Sequence, residues 1–211
     1  NVSTIHNCYG CGVCAVSCGK KIINIRLNED GFYAPYIDEP EKCMECGICL
    51  DVCAFNHKER ALKPEEVQIK SWAAWSNDEA VRRKCSSGGI GFEIGKQLIE
   101  QGFHAVGCRY DINEQRAEHY IATTVEEFVQ SIGSKYIQSY TEEAFKLIKR
   151  KGQKYLIIGT PCQIDSFRRM IRKFRCEENF ILMDFYCHCV PSMLAWKAYI
   201  KMLEPKIGEV T

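Results

Sequence analysis

The chain has 211 residues, 46% hydrophobic and 26% charged, which places it among globular chains with room for one domain and a small module. Its 28 Lys+Arg against 27 Asp+Glu leave a net charge of +1, so there is no electrostatic case for nucleic acid or an anionic membrane surface. No run approaches the ~18 apolar residues of a membrane span. Asn1-Val2-Ser3-Thr4 has no signal-peptide character either, so a soluble, reducing, cytoplasmic location is expected.

Of the 14 cysteines, eight fall into two runs of the same form, C-x2-C-x2-C-x3-C: Cys8, Cys11, Cys14, Cys18, then Cys43, Cys46, Cys49, Cys53. Cys-Gly recurs in the same register at Cys11-Gly12 and Cys46-Gly47. Between the runs, Ile22 to Leu27 and Phe32 to Ile37 read as short strands around a turn at Asn28-Glu29-Asp30-Gly31. A 4Fe–4S cluster needs four thiolates, and a tight C-x2-C-x2-C loop supplies three of them. The last cysteine of each run crosses to the other cluster in the two-cluster arrangement. One set is therefore Cys8, Cys11, Cys14 and Cys53, and the other Cys43, Cys46, Cys49 and Cys18. Zinc knuckles would leave the third and fourth cysteines of each run unexplained, and disulfides need an oxidising compartment. Residues 1–57 resemble a bacterial two-cluster ferredoxin domain, except that Gly19 and Ala54 stand where such runs usually have proline.

Residues 58–70 are charged, contain Pro64 and lack apolar periodicity, as a linker would. Beyond them, 71–76 reads as a strand, 89–101 as a helix, 104–110 and 118–123 as strands, and 125–131 and 142–151 as helices. Tyr155 to Ile158 is an apolar strand followed by a helix over 163–174, and the unit repeats as a strand over 180–186 and a helix over 192–203. The expected fold class is an α+β ferredoxin-like two-cluster module, then an α/β domain over 71–211 with a largely parallel or mixed sheet.

Three segments of the α/β domain carry chemistry. Cys85-Ser86-Ser87-Gly88-Gly89 opens a helix, and reads either as an anion-approaching turn or as an N-cap with Ser87 capping. It does not fit the dinucleotide fingerprint, because Gly89-x-Gly91-x-x-x-Gly95 has the wrong last spacing. Gly159-Thr160-Pro161-Cys162-Gln163 and Cys187-His188-Cys189-Val190-Pro191-Ser192 follow equivalent strands, at the sheet edge where α/β folds bind ligands. Cys162 lies by a helix N-terminus, which favours thiolate. These cysteines read either as buried and inert or as metal ligands, and the pair alone does not complete a cluster.

These segments, together with Gly133-Ser134-Lys135-Tyr136-Ile137-Gln138-Ser139 and in this order behind the two runs, resemble the coenzyme F420 hydrogenase/dehydrogenase beta-subunit family over nearly the whole chain. The resemblance implies an iron–sulfur flavoprotein oxidoreductase. FAD would exchange electrons with a small-molecule two-electron donor or acceptor, coenzyme F420 or another, and the clusters with ferredoxin or another redox protein or subunit. It further implies flavin contacts at Ser87, Gly88, Gly89, Ser134, Lys135, Tyr136, Thr160 and Pro161. Cys162 and Cys187 would be ligands of a third 4Fe–4S cluster, completed by cysteines beyond Thr211 in a longer protein. Cys189 stands where the family usually has Gly. The competing reading is a non-catalytic ferredoxin-type electron-transfer subunit without flavin.

Arg168, Arg169, Arg172, Lys173 and Arg175 read as a solvated basic helix end, with docking of an acidic electron carrier as the alternative. Trp72, Trp75 and Trp196 are expected in the core, and Cys108 and Cys176 as inert thiols. Of His6, His57, His104, His119 and His188, only His188 sits in a candidate site.

Overall fold

The computed structural model describes residues 1–5, 7–63, 65 and 68–208; His6, Pro64 and the last residues of the α/β segment lie outside them. Each cysteine run ends in a short helix, α1 (Val13–Ser17) and α2 (Ile48–Asp51), entered through a left-handed glycine, Gly12 and Gly47. Between them β1 (Ile23–Leu27) and β2 (Tyr33–Ile37) form the expected antiparallel hairpin, with Ile25 opposite Pro35.

The remaining elements are α3 (Glu79–Lys84), α4 (Ile90–Glu100), β3 (His104–Asp111), β4 (Arg116–Ala122), α5 (Val125–Phe128), β5 (Ser139–Tyr140), α6 (Glu142–Leu147), β6 (Tyr155–Gly159), α7 (Pro161–Phe174), β7 (Phe180–Asp184) and α8 (Met193–Ile207). The five-stranded sheet has the order β5-β4-β3-β6-β7. It is mixed: β6 is parallel to β3 and β7, and β5 to β4, but β3 and β4 form an antiparallel hairpin. Leu156 and Ile157 of β6 are fully buried, as the middle of an apolar strand covered on both faces should be.

Residues 71–76 form no strand. Ser76 N–H bonds to Gly88 O at 2.7 Å, and Trp72 and Trp75 are 82% and 58% exposed rather than in the core. Trp196 is partly buried beside Tyr110. The helix read over 142–151 stops at Leu147, and the Lys149 N–H is taken by the Tyr155 hydroxyl at 3.1 Å.

The ferredoxin-like module is not a separate globule. Val13 and Val52 share one buried core with Phe145, Ile164 and Phe167, so α1 and α2 are closed by α6 and α7. Gln138 stitches the hairpin to the sheet, accepting from Tyr33 N–H at 2.6 Å and donating to the Tyr9 and Tyr33 carbonyls at 3.3 Å. α7 buries Ile164, Phe167, Met170 and Ile171 at helical spacing. On its opposite face Arg172, Lys173 and Arg175 are exposed, in keeping with the solvated reading, while several of the basic side chains also hold partners. Arg169 bonds to Asp165 and the Glu59 carbonyl, Arg172 to the Ala61 carbonyl, and Lys173 pairs with Asp51 at 2.7 Å. These bonds strap part of the linker onto α7.

Candidate functional site

Cys8, Cys11, Cys14 and Cys53 line one cavity, closed by Val2, Ile5, Tyr9, Gly10, Gly12, Pro35 and Phe55. Cys53 comes from the second run, so the thiols assemble in the crossed pattern. Gly10 N–H points at Cys8 Sγ, 3.4 Å away, because Gly10 adopts φ +63°, where a side chain would strike Gln138 and the Tyr33 carbonyl. Gly12 has φ +79°, and its missing Cβ would lie 2.0 Å from Thr141 Oγ1. The four cysteines share this one cavity, a donor set that fits a polynuclear 4Fe–4S cluster.

Burial pushes the Cys11 thiol up to about 12, and Cys14 well above its ordinary value. Protons must therefore be displaced by metal, since the protein alone does not favour the thiolates. Cys14 also feels the charge of Cys49, so the two quartets are neighbours. In the second quartet Cys49 is buried and interacts with Cys18 and Cys46, while Cys46 is exposed.

Cys162 is near both the first quartet and Cys187: its charge is felt by Cys8 and Cys11, and it feels that of Cys187. Burial raises its thiol despite the helix N-terminus, so desolvation outweighs the amides expected to favour thiolate. Thr160 Oγ1 lies 3.1 Å from Cys162 Sγ. Cys187 and Cys189 are exposed, and Cys189 has φ +80°, a conformation that favours the glycine usual there. Cys108 is pushed up to about 11 by burial, which suits an inert thiol.

The loop before α4 and the loop after α5 meet, with Ser134 N–H donating to Ser86 Oγ at 2.9 Å. Ser87 is not the cap; Gly89 at φ +82° occupies that position, and Gly88 lies against Ala74 O and Trp75. Lys135 Nζ donates to the carbonyls of Gln130 and Ile132 at 3.1 and 3.0 Å, while Tyr136 is exposed. Thr160 and Pro161 lie beside Cys162 at the start of α7, not in this loop pair.

Sequence reasoning missed Ser166. It is fully buried on α7, accepts from Ala54 N–H at 3.0 Å and receives the Cys11 thiol at 3.4 Å. No local pattern marks it, because its partners are 112 and 155 positions away.

Residues 7–57 match a 4Fe-4S dicluster domain. Residues 71–146 and 152–211 match the N-terminal and C-terminal models of the coenzyme F420 hydrogenase/dehydrogenase beta subunit. An uncharacterized protein of Methanocaldococcus jannaschii is 23% identical over 207 residues, 85% of this chain and 56% of that protein. The coenzyme F420 hydrogenase subunit beta of Methanococcus voltae is 35% identical over 72 residues, 32% of this chain and 26% of that one. The chain thus spans about half or less of these curated relatives. In fold it is similar to a chain of the F420-reducing NiFe hydrogenase complex from Methanosarcina barkeri. The TM-score is 0.51 at 17% identity, over 64% of this chain and 49% of that one. Among the described residues no helix is long and apolar enough to cross a membrane.

Proposed function

Since the chain belongs to the coenzyme F420 hydrogenase/dehydrogenase beta-subunit family, we propose that it is the iron–sulfur electron-transfer subunit of a larger oxidoreductase. Its partners in this reading are other redox subunits or a ferredoxin. The observation that carries the reading is the cavity walled by Cys8, Cys11, Cys14 and Cys53, with Cys162 next to it. When bound, 4Fe–4S clusters supply one-electron steps.

The chain's own residues do the rest. The two quartets hold one cluster each, and the Cys14–Cys49 neighbourhood keeps them close enough to pass an electron. Gly10 turns its amide towards Cys8, stabilising negative charge on sulfur. Val2, Ile5 and Pro35, with the edge-to-face pair Tyr9 and Phe55 at 5.1 Å, keep water from the first quartet. Cys162 and Cys187 are set to join a third cluster, with ligands from a longer chain, on the route from the first quartet into the α/β domain.

A flavin-dependent reading stands second, supported by the Ser134–Ser86 bond, which joins the two loops carrying Ser87, Gly88, Gly89 and Ser134, Lys135, Tyr136. In that reading FAD is held there and exchanges electrons with coenzyme F420 or another small-molecule substrate. Metal, labile sulfide and flavin analysis of protein purified without oxygen separates the two. About eight irons without flavin is expected of the electron-transfer subunit as these 211 residues, rising to about twelve where a longer chain completes the third cluster, and about one FAD per chain of the flavoenzyme. Zinc without labile sulfide would sink both.

A further inference from the structure

Ser166 touches two members of the first quartet at once. Its oxygen accepts from the amide of Ala54, the residue after Cys53, and lies 3.4 Å from Cys11 Sγ. The Ala54 bond needs an amide hydrogen, which proline lacks. Alanine where two-cluster runs usually have proline is therefore what lets α7 grip this loop. A hydroxyl has one proton to give. As a thiol, Cys11 donates to Ser166; as a metal-bound thiolate it has no proton, and the bond reverses, with Ser166 O–H donating to Sγ while Ala54 N–H fixes its oxygen. In a fully buried setting a donor on a ligand sulfur stabilises the more negatively charged, reduced state. The corresponding polar contact on the second quartet is weaker and exposed: Asn1 Nδ2 on Cys43 Sγ at 3.9 Å.

Resting on the reading that Cys8, Cys11, Cys14 and Cys53 hold a 4Fe–4S cluster, we infer that Ser166 is a potential-setting residue, whose hydroxyl holds that cluster's reduction potential above the value its cysteines alone would give. The helix that carries Cys162 in its first turn thereby adjusts the cluster that Cys162 adjoins.

The test is a redox titration of the full chain followed by electron paramagnetic resonance. The unaltered protein must first show two 4Fe–4S signals; without them the cluster reading itself fails, whatever Ser166 does. With them, Ser166→Ala is expected to lower one midpoint and leave the other in place, and Ser166→Thr to restore it. A fully loaded Ser166→Ala protein with both midpoints unmoved overturns the inference. If Ser166→Ala loads only one cluster, Ser166→Thr and Ser166→Val decide, being alike in shape and differing in the hydroxyl. A lower midpoint or a lost cluster in the Val variant alone supports the inference, and identical behaviour of the pair overturns it.

Discussion

Gly10 and Glu45 occupy the same place in the two cysteine runs and share a left-handed backbone, φ +63° and +52°. Gly10 faces Gln138 and the Tyr33 carbonyl, which leave no room for a Cβ, whereas Glu45 extends into solvent. Gly12 and Gly47 repeat the contrast: a Cβ on Gly12 would strike Thr141, and one on Gly47 would meet nothing. One backbone design is thus used twice, once facing inward against α6 and α7 and once facing outward. For the proposed relay the inward quartet is the one in contact with the α/β domain, and the outward quartet is the one open to a partner.

The inner side should depend on the α/β core. Phe145, fully buried and 4.9 Å from Phe167, packs with Val13 and Val52. Phe145→Ala is expected to cost about 3–5 kcal/mol in denaturant unfolding, and to release iron from the inner quartet before the outer. Release in the opposite order would break the comparison. Gly12→Ala combines a left-handed residue with overpacking and should cost about 2–4 kcal/mol, against about 1 kcal/mol for Gly47→Ala. Equal losses in the two melting curves would mean that Thr141 yields freely.

Acid offers a third contrast. His119 lies under Phe145, its rings 5.1 Å apart, and burial pushes its pKa down to about 4, with Nδ1 unpartnered. The folded state therefore holds this histidine neutral while the unfolded chain takes up a proton below about 6.5. Stability from this group is full above pH 6.5 and falls as pH drops towards 4, by about 2 kcal/mol at pH 5. His119→Phe should flatten the pH dependence of unfolding between 7 and 5; an unchanged slope would show that another group is responsible. The smallest effect is expected at the half-exposed Lys173–Asp51 pair, where Lys173→Ala should shift stability by less than about 1 kcal/mol and leave both clusters loaded.

The eight cysteines, the hairpin between them and the cysteine loops after β6 and β7 were legible because each is written in local spacing. The expected core places of Trp72 and Trp75 were not, since nothing in 71–76 shows that this segment bonds to Gly88 rather than joining the sheet. The antiparallel β3–β4 hairpin was hidden for a similar reason: its turn, Ile112-Asn113-Glu114-Gln115, contains no glycine and places Gln115 at φ +48°. Two residues of β5 are too few to carry a period. At the site, both runs show Cys-Gly, and only distant neighbours make Gly12 crowded and Gly47 free. Ser166 is a serine in an amphipathic helix until α7 is laid against Cys11.

The Cys11–Ser166 contact also bears on the order of events during synthesis. Both quartets have all their cysteines once Cys53 is made, whereas the wall of the inner one is complete only after the 112 positions separating Ala54 from Ser166 have followed. At ribosomal rates of 5–20 residues per second, that interval lasts roughly 6 to 22 seconds. Thiols destined for the interior spend it without the cover of α7, so they must stay reduced, or already hold their metal, until that helix closes over them.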